Sequence, residues 1–159
     1  MEEATGVGPL ATAGIRDGLQ AQVQKSVDAG AKVLLAGGKR EGPGFWFDPV
    51  VLLDPPRDSP AYREELFGPV ATVFRVKGVE EALALANDSV YGLGASVWTR
   101  DDAERERFIE GLESGMVFVN ALVASEPRLP FGGMKNSGYG RELSHEGIRE
   151  FVNAKTVRL

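Results

Sequence analysis

Two short stretches hold the residue types from which a site could be built. The denser is PFGGMKNSGYGRE (residues 130–142), whose glycines 132, 133, 138 and 140 invite comparison with loops that cradle phosphate through backbone N–H groups. The comparison fails letter by letter. Gly133 and Gly138 have the outer Walker spacing, but Tyr139 stands where the lysine belongs, and no GxGxxG opens a dinucleotide-binding helix there. Ser137 precedes Gly138, yet Lys135 occupies the first glycine position of GxSxG, which excludes a nucleophile elbow. The second stretch is REELFGPV (residues 63–70), two adjacent carboxylates ahead of an aromatic and a Gly-Pro turn. Successive side chains of an extended segment point to opposite sides, so Glu64 and Glu65 are expected to face different surroundings, and a solvated charge pair is the plain alternative.

What is missing narrows the chemistry further. The chain has no cysteine and a single histidine, His145. Disulfides, thiolate metal sites, multi-histidine metal sites and a cysteine nucleophile are therefore unavailable from these residues. His145 is the only conceivable base for a serine triad, and it reads more simply as a solvated residue near a helix start. No metal ligand set is expected.

These stretches need a scaffold, and its rhythm is legible. Ile15, Leu19, Val23 and Val27 recur every fourth residue and Gly30 follows, which predicts an amphipathic helix with a glycine stop. AKVLLAGG (31–38) and FWFDPVVLL (45–53) read as strands, with Pro49 marking an edge, a bulge or a strand entrance. DPPRDSP (54–60) reads as loop. VATVFRV (70–76) then reads as strand, VEEALALAND (79–88) as helix and ASVWT (95–99) as strand. Thr99 and Asp102 have capping-box spacing and should open a helix through Phe108, Ile109 and Leu112 that stops near Gly115. GMVFVNA (115–121) reads as a further buried strand, HEGIREFV (145–152) as a short helix with Ile148, Phe151 and Val152 inward, and TVRL (156–159) as a terminal strand. The alternation of strand and helix predicts an α/β fold with a largely parallel sheet and flanking helices.

Composition bounds the function classes. With 159 residues, 43% hydrophobic and 26% charged, the chain has the make-up of one ordinary globular domain. A formal net charge of −5 has the wrong sign for gripping nucleic acid or anionic membranes, and no apolar run is long enough to span a bilayer. The start MEEATGVGPL has neither the basic nor the apolar region of a secretory leader, so a cytoplasmic location is expected.

Taken together, VGPLAT (7–12), GAKVLLAGG (30–38), EELFGPV (64–70), ALALANDSVYGLGASVWTRD (82–101), GMVFVN (115–120), LPFGGMKNSGYGRE (129–142) and EFVNAKTV (150–157) resemble, in order and spacing, the C-terminal part of the aldehyde dehydrogenase superfamily. The stretch ASEPRLPFGGMKNSGYGRELSHEGIREF (124–151) looks most like the succinate-semialdehyde dehydrogenases. The resemblance implies a reaction in which a cysteine thiolate attacks the aldehyde, hydride passes to NAD or NADP, and a glutamate-activated water releases the acid. It also implies a single partial catalytic domain over 1–159, with an α/β segment at 1–141 and a C-terminal helix and oligomerisation strand at 142–159.

By that resemblance, Glu65 matches the carboxylate that binds the nicotinamide ribose hydroxyls, and Phe67 an aromatic beside the nicotinamide. Phe131 matches an aromatic lining the aldehyde tunnel, and Ser125 a serine turned toward the substrate carboxylate. The family's nucleophile, its glutamate base and its dinucleotide-binding domain lie upstream of the matched region, which is about the last third of a member. These residues alone are therefore expected to be inactive and to bind no cofactor. Their expected partners are further copies of the chain or a complementary N-terminal half. A non-catalytic oligomerising module is the competing expectation, because an unpaired terminal strand recruits partners.

Overall fold

Helix α1 (Ala13–Asp28) forms where the four-residue apolar period places it. The Thr12 hydroxyl caps it by accepting the Ile15 N–H at 3.2 Å, and Leu19 and Val23 are buried on its inner face. Gly30, just past its end, has φ +119°, a conformation open to glycine and strained for other residues. In this computed structural model, which describes residues 5–159, the chain forms two compact units. One ends at Arg75 and the other is Val76–Leu159.

The first unit continues with β1 (Lys32–Leu35), β2 (Gly38–Lys39), β3 (Phe47–Asp48), β4 (Val50–Leu53), α2 (Pro60–Arg63) and β5 (Val70–Val73). Pro49 separates β3 from β4 and so stands at a strand entrance, where its missing N–H costs no ladder bond. The main sheet has the order β1-β4-β5. β1 runs antiparallel to β4, and β5 runs parallel to it with Val50 opposite Val70. β2 and β3 pair as a small antiparallel ribbon. Leu19, Val23, Ala31, Phe47, Val50, Leu52 and Ala61 form the core between α1 and the sheet, with Leu10, Val27, Leu66 and Val70 packed around them. Removing large apolar side chains such as these from water stabilises by about 1.5–3 kcal/mol each. The stretch expected to be loop through Pro60 instead starts α2 at that residue, since proline is well suited to the first helical position.

The second unit contains α3 (Val79–Asn87), β6 (Tyr91–Gly92), β7 (Ala95–Val97), α4 (Asp102–Gly111), β8 (Val117–Val119), β9 (Met134–Lys135) and α5 (Ser144–Arg149). β7 and β8 are parallel and joined through α4, while β6 pairs antiparallel with β9. Leu83, Val97 and Met116 are its buried apolar residues. Arg107 on α4 clasps Glu80 on α3 with two bonds of 2.7 Å. Asn87 ties the same helices by donating to the Gly111 carbonyl and accepting the Glu113 N–H.

Four expectations need correction. The sheets are mixed, with β4-β5 and β7-β8 parallel but β1-β4, β2-β3 and β6-β9 antiparallel; β2 returns directly into β3, whereas β6 and β9 meet across the intervening β7, α4 and β8. The cap of α4 is Asp101, whose carboxylate accepts the Glu104 N–H at 2.9 Å, and Thr99 supports it from outside by donating to the Glu104 carboxylate at 2.7 Å. Ile148 and Phe151 are not inward but 67% and 91% exposed, with Val152 also exposed. Residues 156–159 join no strand, since no described residue offers them a ladder.

Candidate functional site

In the first unit α1 positions the segment that carries the paired glutamates. Ser26, fully buried, accepts the Ala61 N–H at 2.9 Å and donates to the Gln22 carbonyl at 2.8 Å, which pins the start of α2 to α1. One helical turn earlier, Gln22 donates from Nε2 to the Glu64 carboxylate at 2.7 Å and to the Glu65 carbonyl oxygen at 3.3 Å. The backbone at Glu64 is extended, and the two carboxylates meet different surroundings as the alternation implies. Glu64 is tied to α1, whereas no described residue supplies a donor to the Glu65 carboxylate.

Phe67 follows with 67% of its surface exposed. Gly68 allows the turn beyond it, since a Cβ there would lie 2.4 Å from a Leu19 methyl. Glu65 and Phe67 share the wall of a groove of about 480 Å³ with Gly14, Gly18, Gln22 and Lys25. An open carboxylate offers only acceptors, and a bare aromatic offers a face for stacking, so the pair fits a ligand presenting a vicinal diol next to a flat ring.

In the second unit the glycine-rich stretch is a folded clip. Phe131 and Glu142 exchange backbone hydrogen bonds of 2.8 and 2.6 Å. Arg141 donates from Nη1 to the carbonyls of Gly133 and Gly140. Lys135 reaches the carbonyls of Asn87 and Ser89 and pairs with Glu113 at 2.7 Å. Ser137 accepts the Gly92 N–H at 3.0 Å. The glycines permit close backbone approach: a Cβ on Gly115 would lie 1.9 Å from the Gly132 carbonyl oxygen. Their geometry accounts for them without a ligand.

Phe131, half-buried, lines an apolar cavity of about 310 Å³ together with Met116, Phe118, Ala124 and Leu129. Glu126 is the one titratable side chain on that wall, and the Arg128 guanidinium, bonded to it at 2.6 Å, holds its carboxyl below the usual carboxylate range. Ser125 is exposed, between the cavity-lining Ala124 and Glu126, and does not itself line the cavity. The cavity suits a small, mostly apolar molecule. Glu65 and Phe67 thus stand together in the first unit, and Phe131 in the second with Ser125 beside its cavity. His145 is exposed, and no cluster able to hold a metal ion occurs among the described residues. Nothing in the sequence marks Arg141, and Gln22 leaves only the signal of a polar residue one turn before Ser26 on a shared helix face.

Residues 1–157 match the family model described as the aldehyde dehydrogenase family. The chain is 50% identical over 153 residues to succinate-semialdehyde dehydrogenase (NADP(+)) 1 of Mycobacterium ulcerans, covering 96% of this chain and 33% of that protein. A probable succinate-semialdehyde dehydrogenase (NADP(+)) of Synechocystis is also 50% identical, over 96% of this chain and 34% of its own length. Succinic semialdehyde dehydrogenase from Streptococcus pyogenes, solved with NADP+, superposes with a TM-score of 0.94 at 36% identity, covering 100% of this chain and 35% of that one. The chain thus spans about a third of the length of the relatives it matches. With its α/β architecture and nearly every residue matched, the chain belongs to the aldehyde dehydrogenase family.

Proposed function

We propose that these residues form the C-terminal part of an NAD(P)-dependent aldehyde dehydrogenase, with succinic semialdehyde as the substrate that best accounts for the sequence. The observation that carries the reading is the Glu65 carboxylate, left open to donors beside the exposed Phe67, in a chain half identical to succinate-semialdehyde dehydrogenases. Glu65 accepts hydrogen bonds from the two ribose hydroxyls, and Phe67 gives the nicotinamide an apolar face that fixes its orientation. The nicotinamide supplies the hydride acceptor when bound. Phe131 and its apolar neighbours exclude water from the aldehyde chain, and the Ser125 hydroxyl donates toward the far carboxylate. The nucleophilic thiolate and the base that activates water come from outside these residues, which contain no cysteine. In this reading 1–141 complete a catalytic domain, and 142–159 bring copies of the protein together.

A second reading, a non-catalytic oligomerising module, has its own support in the exposed Phe151, Val157 and Leu159 at the end of the chain. One experiment separates them. Joined to the upstream two thirds of the Synechocystis relative, the chain should support aldehyde-dependent NADPH formation. A folded, stoichiometric assembly that stays inactive counts against the dehydrogenase reading and in favour of the module.

A further inference from the structure

We propose that Gln22 is a positioning residue for Glu65, an inference that rests on the reading of Glu65 as the cofactor carboxylate. Gln22 lies on α1, more than forty residues before the glutamate pair, yet its single amide spends both contacts there: 2.7 Å to Glu64 Oε2 and 3.3 Å to the Glu65 carbonyl oxygen. A primary amide has two N–H donors, so one side chain can hold both neighbours at once. Its effect is to make two adjacent, chemically identical carboxylates unequal. Glu64 is held against the helix, and at the groove wall no described residue donates to the Glu65 carboxylate.

The local fold explains why this tether falls where it does. Ser26 fixes the start of α2 through the Ala61 N–H, and Gln22, one turn earlier on the same face, fixes the segment leaving α2. Between these two points runs one short helix, so the direction in which the chain passes Glu65 is set from both ends. Without the amide, the Glu64 carboxylate is released beside the ligand position and the Glu65 peptide is free to turn. The charged groups at this groove are then Lys25, Glu64 and Glu65, and a mobile Glu64 competes with Glu65 for the same donors.

The test uses a chimeric full-length dehydrogenase in which these 159 residues replace the matching third of the Mycobacterium ulcerans relative. NADPH is the probe, titrated by its fluorescence, alongside steady-state kinetics. Gln22→Leu keeps the side-chain volume and removes both donors. NADPH Kd should rise about three- to tenfold, the range for losing one hydrogen bond of ordinary strength, with the aldehyde KM unchanged. Gln22→Lys, which retains a donor for Glu64, should recover most of the affinity. Glu65→Gln provides the reference. If Glu65→Gln weakens NADPH and Gln22→Leu does not, the positioning role is overturned while the cofactor reading stands. If Glu65→Gln also has no effect, the cofactor reading itself falls. Should Gln22→Leu fail to fold, Gln22→Lys and Gln22→Glu carry the comparison, and equal NADPH Kd in those two overturns the proposal.

Discussion

Replacing Ser26 by alanine removes one oxygen and unpairs a buried backbone group. Ser26 is 0% exposed, its hydroxyl accepts the Ala61 N–H at 2.9 Å, and Ala61 is itself only 7% exposed. The orphaned N–H cannot turn to water, and an unsatisfied buried donor costs about 1–3 kcal/mol. Two smaller terms partly cancel. The bond donated to the Gln22 carbonyl at 2.8 Å is lost, but that carbonyl keeps its place in the helix, and alanine recovers about 0.5 kcal/mol of helix propensity over serine. A net loss of about 1.5 kcal/mol follows. For a cooperative unit of roughly 60–100 residues, that lowers the unfolding midpoint by about 6–12 °C. Thermal unfolding followed by circular dichroism gives the shift, and amide hydrogen exchange locates it at Ala61. A shift under about 2 °C with Ala61 still protected would refute the claim that this hydroxyl joins α1 to α2.

Three further outcomes follow from other contacts. Gly115→Ala should destabilise the second unit by more than about 3 kcal/mol and disorder the 130–142 clip in NMR spectra, because its Cβ meets the Gly132 carbonyl at 1.9 Å, a backbone atom that cannot swing aside. Arg107 holds the Glu80 carboxyl below its ordinary range, so the clasp between α3 and α4 contributes fully above the unfolded carboxylate pKa and is lost as pH falls through the depressed native one. Acid titration of stability should therefore be shallower in Glu80→Gln than in the parent, and the difference should shrink in molar salt. Phe151→Asp should lower self-association of the chain in sedimentation velocity, since Phe151 is 91% exposed and an aspartate there opposes apolar burial.

The parts of the fold that were readable are those where one local rule dominates. α1 was visible because its apolar period and Gly30 agree, and α3 because ALALA runs into Asn-Asp. The β6-β9 pair went unseen because two-residue strands such as Tyr91–Gly92 have no period to detect. The largely parallel expectation came from the order of elements alone, and order does not distinguish a direct return such as β2-β3 from a crossover. Ile148, Phe151 and Val152 carry an inward pattern yet lie open, because a periodic face records that something is to cover it and not what does. Of the candidate site, Glu65 and Phe131 were nameable only through resemblance; alternation put Glu64 and Glu65 on different sides without telling which of them is tethered. The tether on Glu64 comes from Gln22, a contact across 42 residues that no local pattern encodes.

The division of the chain after Arg75 also bears on how sequences of this family can diversify. Glu65 and Phe67, proposed to meet the cofactor, are encoded before that boundary, and Ser125 and Phe131, proposed to meet the aldehyde, after it. Leu19, Val23, Phe47, Val50 and Leu52 fall wholly on one side, and Leu83, Val97 and Met116 on the other. A genetic crossover near codon 75 between two related genes would inherit each set of buried residues intact. The wall proposed to hold the nicotinamide and the wall proposed to hold the aldehyde could then be reassorted as separate heritable traits, one recombination event exchanging either without rewriting the other.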